Sequence, residues 1–204
     1  MTGEMPASSF QLHPPCPALV AVAPPAFAVS LDLAYARTDN LAGAPLYREA
    51  ACWLHPDATP FLQRAIALAA ALGLRLRLFD AYRPPEAQKR LWQALPDPEY
   101  VADPRRGSHH SRGVALDLTL EHPQTRQPLP MGTPFDDMSV ASHHGSLAIG
   151  REALSNRSLL LGIMVAAGWC PYTPEWWHYQ LPEAAAYPLL PDGSAAPPLA
   201  TVAP

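Results

Sequence analysis

The sequence predicts an α+β fold, a single domain with a central, mostly antiparallel sheet flanked by helices. Residues 74–79 and 114–120 alternate apolar side chains with the period of a strand, and residues 176–181 are rich in residues that favour strands. We expect these three segments to form the middle of the sheet. Strands and helices do not alternate regularly enough for a parallel, doubly wound sheet. With 204 residues, 49% of them hydrophobic, the chain can bury one good core.

Three helices are expected, and residues that start or stop helices bound each of them. Thr59 and Pro60 suit the N-cap and the first helical position ahead of an apolar-rich stretch, and Gly73 suits its C-terminal end. Pro85 opens the second helix, and Gly168 stops the third. The helices are expected at 61–72, 85–95 and 155–167.

The two ends of the chain are expected to differ from its middle. Residues 1–30 are predicted to form a proline-rich irregular leader, residues 31–190 the folded domain that carries the functional residues, and residues 191–204 an irregular C-terminal tail. The apolar stretch 18–23 is interrupted at Pro24, and no lysine or arginine precedes Arg37, so the basic region of a secretory signal is lacking. We expect a cytoplasmic protein, and a periplasmic one stays open.

The composition argues against several classes of partner. The net charge is −4 and no run of basic residues occurs, which argues against nucleic acid as a ligand. No apolar run reaches about eighteen residues, so no segment is expected to span a membrane. The three cysteines show no C-x-x-C spacing, which argues against a thiolate metal site.

Two separate segments, 108–117 and 175–178, carry the residues that indicate chemistry. They offer two imidazoles, His110 and His178, and the carboxylate of Asp117 as ligands for one zinc ion. Three protein ligands with an open fourth position are what a catalytic zinc site needs, whereas a structural site is closed by four. A further carboxylate, Glu175, could take the proton of the attacking water. The pattern indicates a metallohydrolase.

The spacing of the first segment makes sense only if the chain turns. Positions seven apart on a continuous strand point to opposite faces, so His110 and Asp117 could not meet there. Residues 111–113, Ser-Arg-Gly, are typical of a turn, after which the chain can double back and bring Asp117 beside His110. In the second segment, Glu175 is expected at the mouth of a strand and His178 inside it.

The same segments resemble a known family. Ser-x-His-x-x-Gly-x-Ala-x-Asp at 108–117, followed by Glu-x-Trp-His at 175–178, is the pattern of the zinc D-alanyl-D-alanine dipeptidases and carboxypeptidases. Ser-Arg-Gly-x-Ala-x-Asp-Leu-Thr-Leu with Glu-Trp-Trp-His-Tyr is similar to the VanX/DdpX dipeptidase branch. The resemblance implies a zinc enzyme of the same α+β fold. It runs from about residue 32 to residue 190 and includes Tyr35, Asp-Ala-Tyr-Arg-Pro at 80–84, Met-Gly-Thr-Pro-Phe-Asp at 131–136 and Ser-His-His at 142–144.

The resemblance also implies roles for residues outside the metal ligands. Arg83, held stiffly before Pro84 at a strand end, can stabilise the oxyanion formed when a peptide carbonyl is attacked. Asp136 on its own would be taken as a turn residue, but in the matching family this position binds, together with Tyr35, the free ammonium of the dipeptide. Ser108 would meet the carboxylate of the dipeptide, or could equally support a metal ligand.

Neighbouring histidines are expected to stay outside the metal site. His109 would point away from the metal and lie at the surface or behind a ligand. His143 and His144 are adjacent, and adjacent residues on most backbones cannot converge on one ion.

With the resemblance, the residues predict a zinc-dependent dipeptidase that hydrolyses D-Ala-D-Ala to two D-alanines, with one zinc per chain. One alternative is a D,D- or L,D-carboxypeptidase that trims peptidoglycan stem peptides, which would leave the ammonium side open. Another is a non-catalytic zinc-containing peptide-binding module, in which the unliganded Glu175 would have no use. A third is uptake or sensing of D-amino-acid dipeptides without turnover.

Overall fold

A five-stranded sheet lies at the centre of this computed structural model, which describes residues 17–47 and 49–195 of the chain. The strands in these ranges are β1 (Val20–Ala21), β2 (Ser30–Leu31), β3 (Trp53–Leu54), β4 (Arg75–Asp80), β5 (Ala115–Glu121), β6 (Cys170–Tyr172) and β7 (Glu175–Gln180). The central sheet has the order β2-β4-β5-β7-β6, and β1 pairs with β3 in a separate antiparallel ladder.

The direction of the strands confirms the predicted fold class. Only β2 and β4 run parallel in the central sheet, while its other three pairs are antiparallel. The three strands expected at 74–79, 114–120 and 176–181 are β4, β5 and β7, which lie side by side in the middle of the sheet.

The middle strand β5 is buried on both of its faces. One face carries Leu116, Leu118 and Leu120, which belong to the main hydrophobic core. The other face is polar, and it needs partners because a buried unpaired charge is costly. Glu121 finds them in Arg77, whose Nε lies at 2.7 Å, and in the hydroxyl of Ser30. Asp117 lies on this polar face as well, near the middle of the sheet.

Three α-helices occur in the described residues, α1 (Thr59–Ala71), α2 (Pro85–Ala94) and α3 (Arg151–Ala166). Buried residues of α1 and α3, among them Leu62 and Leu160, pack in the main core. Thr59 was expected as an N-cap but is the first helical residue, because a 3-10 turn over Pro56–Ala58 leads directly into α1.

The third helix begins earlier than the predicted residue 155. Gly150 is the extended N-cap, and its carbonyl accepts the first helical hydrogen bond, from Leu154, at 3.0 Å. The expected ends are present: Gly73 and Gly168 follow α1 and α3 with positive φ. A side chain at Gly168 would also meet the ring of Phe61 at 2.8 Å, so this end of α3 can approach α1 closely.

Parts of both predicted irregular ends belong to the domain. Val22, Phe27 and Val29 are buried in the main core, and Ala195 packs in a smaller cluster with Leu19 and neighbouring apolar side chains. The boundaries expected after residue 30 and residue 190 are therefore wrong for residues 17–30 and 191–195, whose apolar side chains cover the domain. The rest of the predicted leader and tail, 1–16 and 196–204, lies outside the described residues. Across the part that is described, no helix combines the length and apolarity needed to cross a membrane.

Candidate active site

His110, Asp117 and His178 meet in one buried cluster. Asp117 on β5 lies directly opposite His178 on β7 in the sheet register, so their side chains share a face. The Nδ1 atom of His178 lies 3.0 Å from Oδ1 of Asp117 and 3.1 Å from Nε2 of His110. Nε2 of His110 lies 3.3 Å from the same carboxylate oxygen. Three ligand atoms thus converge on one point.

The chain reversal predicted at residues 111–113 brings His110 to this point. His110 begins a 3-10 turn, and Gly113 ends it in the left-handed conformation, at φ +69°. A side chain at Gly113 would lie 3.2 Å from the backbone nitrogen of His55, so the turn combines positive φ with close packing. Strand β5 starts two residues later and leads back to Asp117.

The chemistry of the cluster fits a divalent metal ion. Nδ1 of His110 lies 2.7 Å from the carbonyl oxygen of Ala81, which can only accept a hydrogen bond, so Nδ1 carries the proton and Nε2 presents a lone pair. Burial by itself would raise the pKa of Asp117, but His110 and His178 outweigh it and hold that pKa well below its usual range. The carboxylate is therefore ionised and available as a ligand.

Glu175, the first residue of β7, reaches the same cluster. Residues three apart on a regular strand point to opposite faces, yet Oε2 of Glu175 lies 3.8 Å from Nδ1 of His178. An irregularity explains this: β7 runs from Tyr179 to Glu175 while β6 advances only from Pro171 to Tyr172. Burial, reinforced by the charge of Asp117, raises the pKa of Glu175 well above its usual value. A raised pKa suits a carboxyl group that takes up a proton and passes it on.

Arg83 lies just beyond the end of β4, buried and fixed by several acceptors. Its Nε donates to Oδ2 of Asp80 at 2.8 Å and its Nη1 to Oε1 of Gln88 at 3.0 Å. The guanidinium also lies 4.7 Å from the ring centroid of Tyr35, a cation–π distance. Asp80 is held in turn by the hydroxyl of Tyr47 at 2.9 Å. The positive charge is therefore rigidly oriented.

Asp136 and Tyr35 form a second polar group on the cavity wall. The Tyr35 hydroxyl donates to Oδ1 of Asp136 at 3.0 Å. Among the described residues, none donates a hydrogen bond to the buried Oδ2 of Asp136. Burial, and secondarily the charge of Asp117, raises the pKa of Asp136 to about 7. A buried carboxylate with a free acceptor in a cavity is suited to a cationic ligand.

Ser108 also lines the cavity, and its hydroxyl has a structural contact. Its Oγ accepts a hydrogen bond from the backbone nitrogen of His110 at 3.2 Å. This contact supports the turn that carries His110, one of the two possibilities left open by the sequence. It leaves the hydroxyl proton of Ser108 free to donate elsewhere.

A single cavity of about 210 Å³ connects these groups. All eight residues that the sequence singles out line it: Tyr35, Arg83, Ser108, His110, Asp117, Asp136, Glu175 and His178. Residues 98–102 form a further wall. This segment is held in place by a hydrogen bond that Nε2 of Gln88 donates to the carbonyl oxygen of Ala102 at 2.7 Å.

The sequence does not predict the side chains that hold Arg83 and its partner Asp80 in place. Tyr47 and Gln88 carry no motif. Gln88 lies on α2, five residues after Arg83, whereas Tyr47 reaches Asp80 only because a distant segment packs there. His143 and His144, as expected, lie outside the metal cluster: the ring of His143 faces Tyr100, and the ring of His144 faces Tyr179.

The α+β fold and a buried His-Asp-His cluster with a glutamate beside it are those of a metallopeptidase. The chain belongs to the D-Ala-D-Ala dipeptidase family, peptidase family M15, whose model matches residues 18–192.

Curated relatives in this family carry the name D-alanyl-D-alanine dipeptidase. The protein from Escherichia coli (strain K12) is 47% identical over 166 residues, which cover 80% of this chain and 84% of that one. The protein from Enterococcus faecalis (strain ATCC 700802 / V583) is 36% identical over 176 residues, 75% of this chain and 86% of that one. A solved structure of the vancomycin-resistance D,D-pentapeptidase VanY with Zn(II) covers 64% of this chain and 73% of its own, at a TM-score of 0.41 and 19% identity.

Proposed function

We propose that the protein is a zinc-dependent dipeptidase that hydrolyses D-Ala-D-Ala to two D-alanines. Family membership and the names of the curated relatives support this substrate. The observation that carries the proposal is the unpaired carboxylate oxygen of Asp136 in the same cavity as the His-Asp-His cluster. A cytoplasmic location stays a prediction of the sequence.

The part of the cavity around Asp136 and Tyr35, called the amine end below, recognises the free ammonium of the substrate. Asp136 offers its unpaired Oδ2 to this group, and Tyr35 fixes the carboxylate through Oδ1. A charge-assisted hydrogen bond of this kind is strong where water is excluded. The cavity, at about 210 Å³, is smaller than the roughly 300–1,000 Å³ of sites for drug-sized ligands, which suits a dipeptide.

The part of the cavity around the His-Asp-His cluster, called the metal end below, is where the peptide bond is hydrolysed. His110, Asp117 and His178 would hold one zinc ion, since two imidazoles and a carboxylate with an open fourth position are a common catalytic donor set. Zinc bound there supplies Lewis acidity, which polarises the scissile carbonyl and makes water a nucleophile near neutral pH.

Two residues of the chain manage the proton and the developing charge. Glu175 takes the proton from the attacking water and passes it to the amine of the leaving D-alanine. Arg83 donates to the oxyanion: its contacts to Asp80 and Gln88 orient the guanidinium, which has five N–H donors and keeps at least one for the substrate. Because it is already fixed, Arg83 needs little reorganisation during the reaction.

A carboxypeptidase acting on long stem peptides would need an open path where Asp136 lies. Its substrates carry a neutral peptide bond there, which cannot pair with a buried carboxylate. In a non-catalytic module, the carboxyl group of Glu175, which lies 3.8 Å from Nδ1 of His178, would have no function. The geometry therefore favours turnover of a short substrate with a free amine.

The proposal is tested by measuring D-alanine release from D-Ala-D-Ala. Purified protein should carry about one zinc per chain, lose activity on removal of the metal with a chelator and regain it with added zinc. His178→Ala should lose both metal and activity. Full zinc occupancy in both His178→Ala and His110→Ala would show that the ligand assignment is wrong, and a zinc-loaded wild type without D-alanine release would overturn the proposed reaction.

A further inference from the structure

Gln180 lies behind the metal cluster, on the far side of the His178 ring. It is two residues after His178 on β7, so both side chains point to the same side of the strand. Its Oε1 lies 3.2 Å from Nε2 of His178. The other ring nitrogen, Nδ1, is the atom that faces His110 and Asp117. One ring thus bridges the cluster and Gln180.

The contact with Gln180 decides which nitrogen of His178 carries the proton. An amide oxygen only accepts hydrogen bonds, so a proton on Nε2 satisfies it and leaves Nδ1 with a lone pair. If Nε2 were unprotonated, Nδ1 would carry a proton pointing at His110 Nε2 and at Asp117, and it could not bind a metal. The amide oxygen therefore selects the ligand form of the ring.

His109 holds the same amide oxygen from a second direction. Its Nδ1 lies 2.7 Å from Oε1 of Gln180, and the ring is half-buried on the cavity wall. The amide oxygen is thus in contact with both rings, and it can accept a hydrogen bond from Nε2 of His178 and from Nδ1 of His109. This arrangement fixes the orientation of the Gln180 side chain. His109 thus lies behind a ligand, one of the two positions expected for it.

We propose that Gln180, held by His109, is a positioning residue for the metal: it fixes His178 in the tautomer that ligates through Nδ1. The inference rests on the proposed role of His178 as a ligand. For the other imidazole, His110, the backbone carbonyl of Ala81 fixes the tautomer in the same way. Only the support of His178 can therefore be removed by a single substitution. Partners of this kind typically change metal affinity by about 10- to 100-fold.

The experiment compares zinc affinities of full-length variants by competition with a chromophoric chelator. Gln180→Met keeps the size of the side chain but removes the acceptor, and we expect its zinc dissociation constant to rise about 10- to 100-fold. Gln180→Glu keeps an acceptor for both rings and should bind zinc at least as tightly as wild type. Gln93→Met, the same change on the exposed side of α2, is the control and should leave the affinity unchanged.

His109 is tested in the same way. His109→Ala should weaken zinc in the same direction as Gln180→Met but less, because Oε1 keeps its contact with His178. His109→Asn, which retains an N–H donor, should restore part of the loss. In ¹H–¹⁵N spectra of the zinc-loaded protein, the Nε2–H resonance of His178 should be slow to exchange in wild type and in Gln180→Glu, and fast in Gln180→Met.

The outcomes separate this inference from the proposed function. Zinc binding by His178→Ala at wild-type strength would overturn the ligand assignment itself. If wild type binds zinc and His178→Ala does not, wild-type affinity in Gln180→Met would overturn the role of Gln180 alone. An equal loss in Gln180→Glu and Gln180→Met would mean that packing, and not the acceptor, supports the ring. Should Gln180→Met not fold, the pair His109→Ala and His109→Asn and the exchange spectra of Gln180→Glu decide the question.

Discussion

The two ends of the cavity are built in different ways. At the metal end, Asp117 and His178 are direct neighbours across two central strands, and a tight turn places His110 beside them. At the amine end, Tyr35 comes from a 3-10 turn (Ala34–Ala36) and Asp136 from a distant loop, and one hydrogen bond of 3.0 Å joins them. In the proposed function, the sheet therefore positions the metal ligands, while the segments around Tyr35 and Asp136 position the groups that bind the substrate amine.

The two aspartates that line the cavity, Asp117 and Asp136, show the same contrast in their charge states. Partners outweigh burial at Asp117 and hold its pKa well below the usual range, whereas burial dominates at Asp136 and raises its pKa to about 7. Asp117 thus has its partners, His110, His178 and Arg83, within the protein. Asp136 has no cationic side chain in direct contact among the described residues, which suits it to bind a cation of the substrate.

The largest expected effect is at the metal end, at Glu175. Glu175→Gln keeps the shape of the side chain but cannot take a proton, so kcat should fall by about 10²–10⁴ while zinc stays bound. Because burial already disfavours the ionised form of Glu175, the neutral amide should not lower Tm. Steady-state kinetics, elemental analysis and thermal unfolding check this.

The matched control is Glu152→Gln, which makes the same change at the exposed start of α3 and should leave kcat as in wild type. Loss of zinc together with activity in Glu175→Gln would show that Glu175 is a zinc ligand and not the base.

A somewhat smaller effect is expected at Arg83. Arg83→Lys keeps the charge but loses the planar fork that contacts Asp80 and Gln88, so kcat/KM should fall about 10²–10³-fold. Arg83→Met should in addition lower Tm, because it leaves Asp80 buried beside one cationic partner fewer. Kinetics and thermal unfolding of the two variants separate catalysis from stability. An unchanged kcat/KM in Arg83→Lys would remove the guanidinium from the reaction.

The smallest effect concerns pH and isolates the amine end. Below its pKa of about 7, Asp136 is protonated and attracts an ammonium weakly; above it, the carboxylate is ionised. The ratio of kcat/KM for D-Ala-D-Ala to that for its N-acetyl form should therefore rise between about pH 6 and pH 7.5, below the pKa of the substrate amine. Groups that act on both substrates cancel in the ratio. In Asp136→Asn the ratio should be flat, and a flat ratio in wild type would contradict the role of Asp136.

How far the sequence could predict these features follows from the same contrast. The alternation at 74–79 and 114–120 marks central strands, and the spacing of His110 and Asp117 around a Gly-containing turn is local, so the metal end could be predicted from the residues themselves. The role of Asp136 could not be predicted in this way, because its contact with Tyr35 depends on how two distant segments of the chain pack. Only the family resemblance pointed to it.

Other features escaped prediction for a similar reason. Gln180 acts through the orientation of a ring, which no spacing in the sequence encodes. Residues 17–30 were expected to be irregular because prolines interrupt them, yet Val22 and Phe27 are buried in the main core. Short apolar stretches between prolines can complete a core formed by other segments, and local sequence patterns do not record such packing.

The proposed dipeptidase activity rests on the claim that one cavity joins a metal end, which hydrolyses the peptide bond, to an amine end that admits only a free dipeptide. The most direct measurement is kcat/KM for D-Ala-D-Ala, N-acetyl-D-Ala-D-Ala and a stem pentapeptide, on wild type, Asp136→Asn and, as a control that does not line the cavity, Asp137→Asn. Blocking the amine leaves Asp136 buried without its partner, at a cost of about 2–5 kcal/mol, so wild type and Asp137→Asn should prefer the free dipeptide by well over tenfold. Asp136→Asn should narrow that gap. Comparable wild-type rates on all three substrates would contradict the claim and favour a carboxypeptidase.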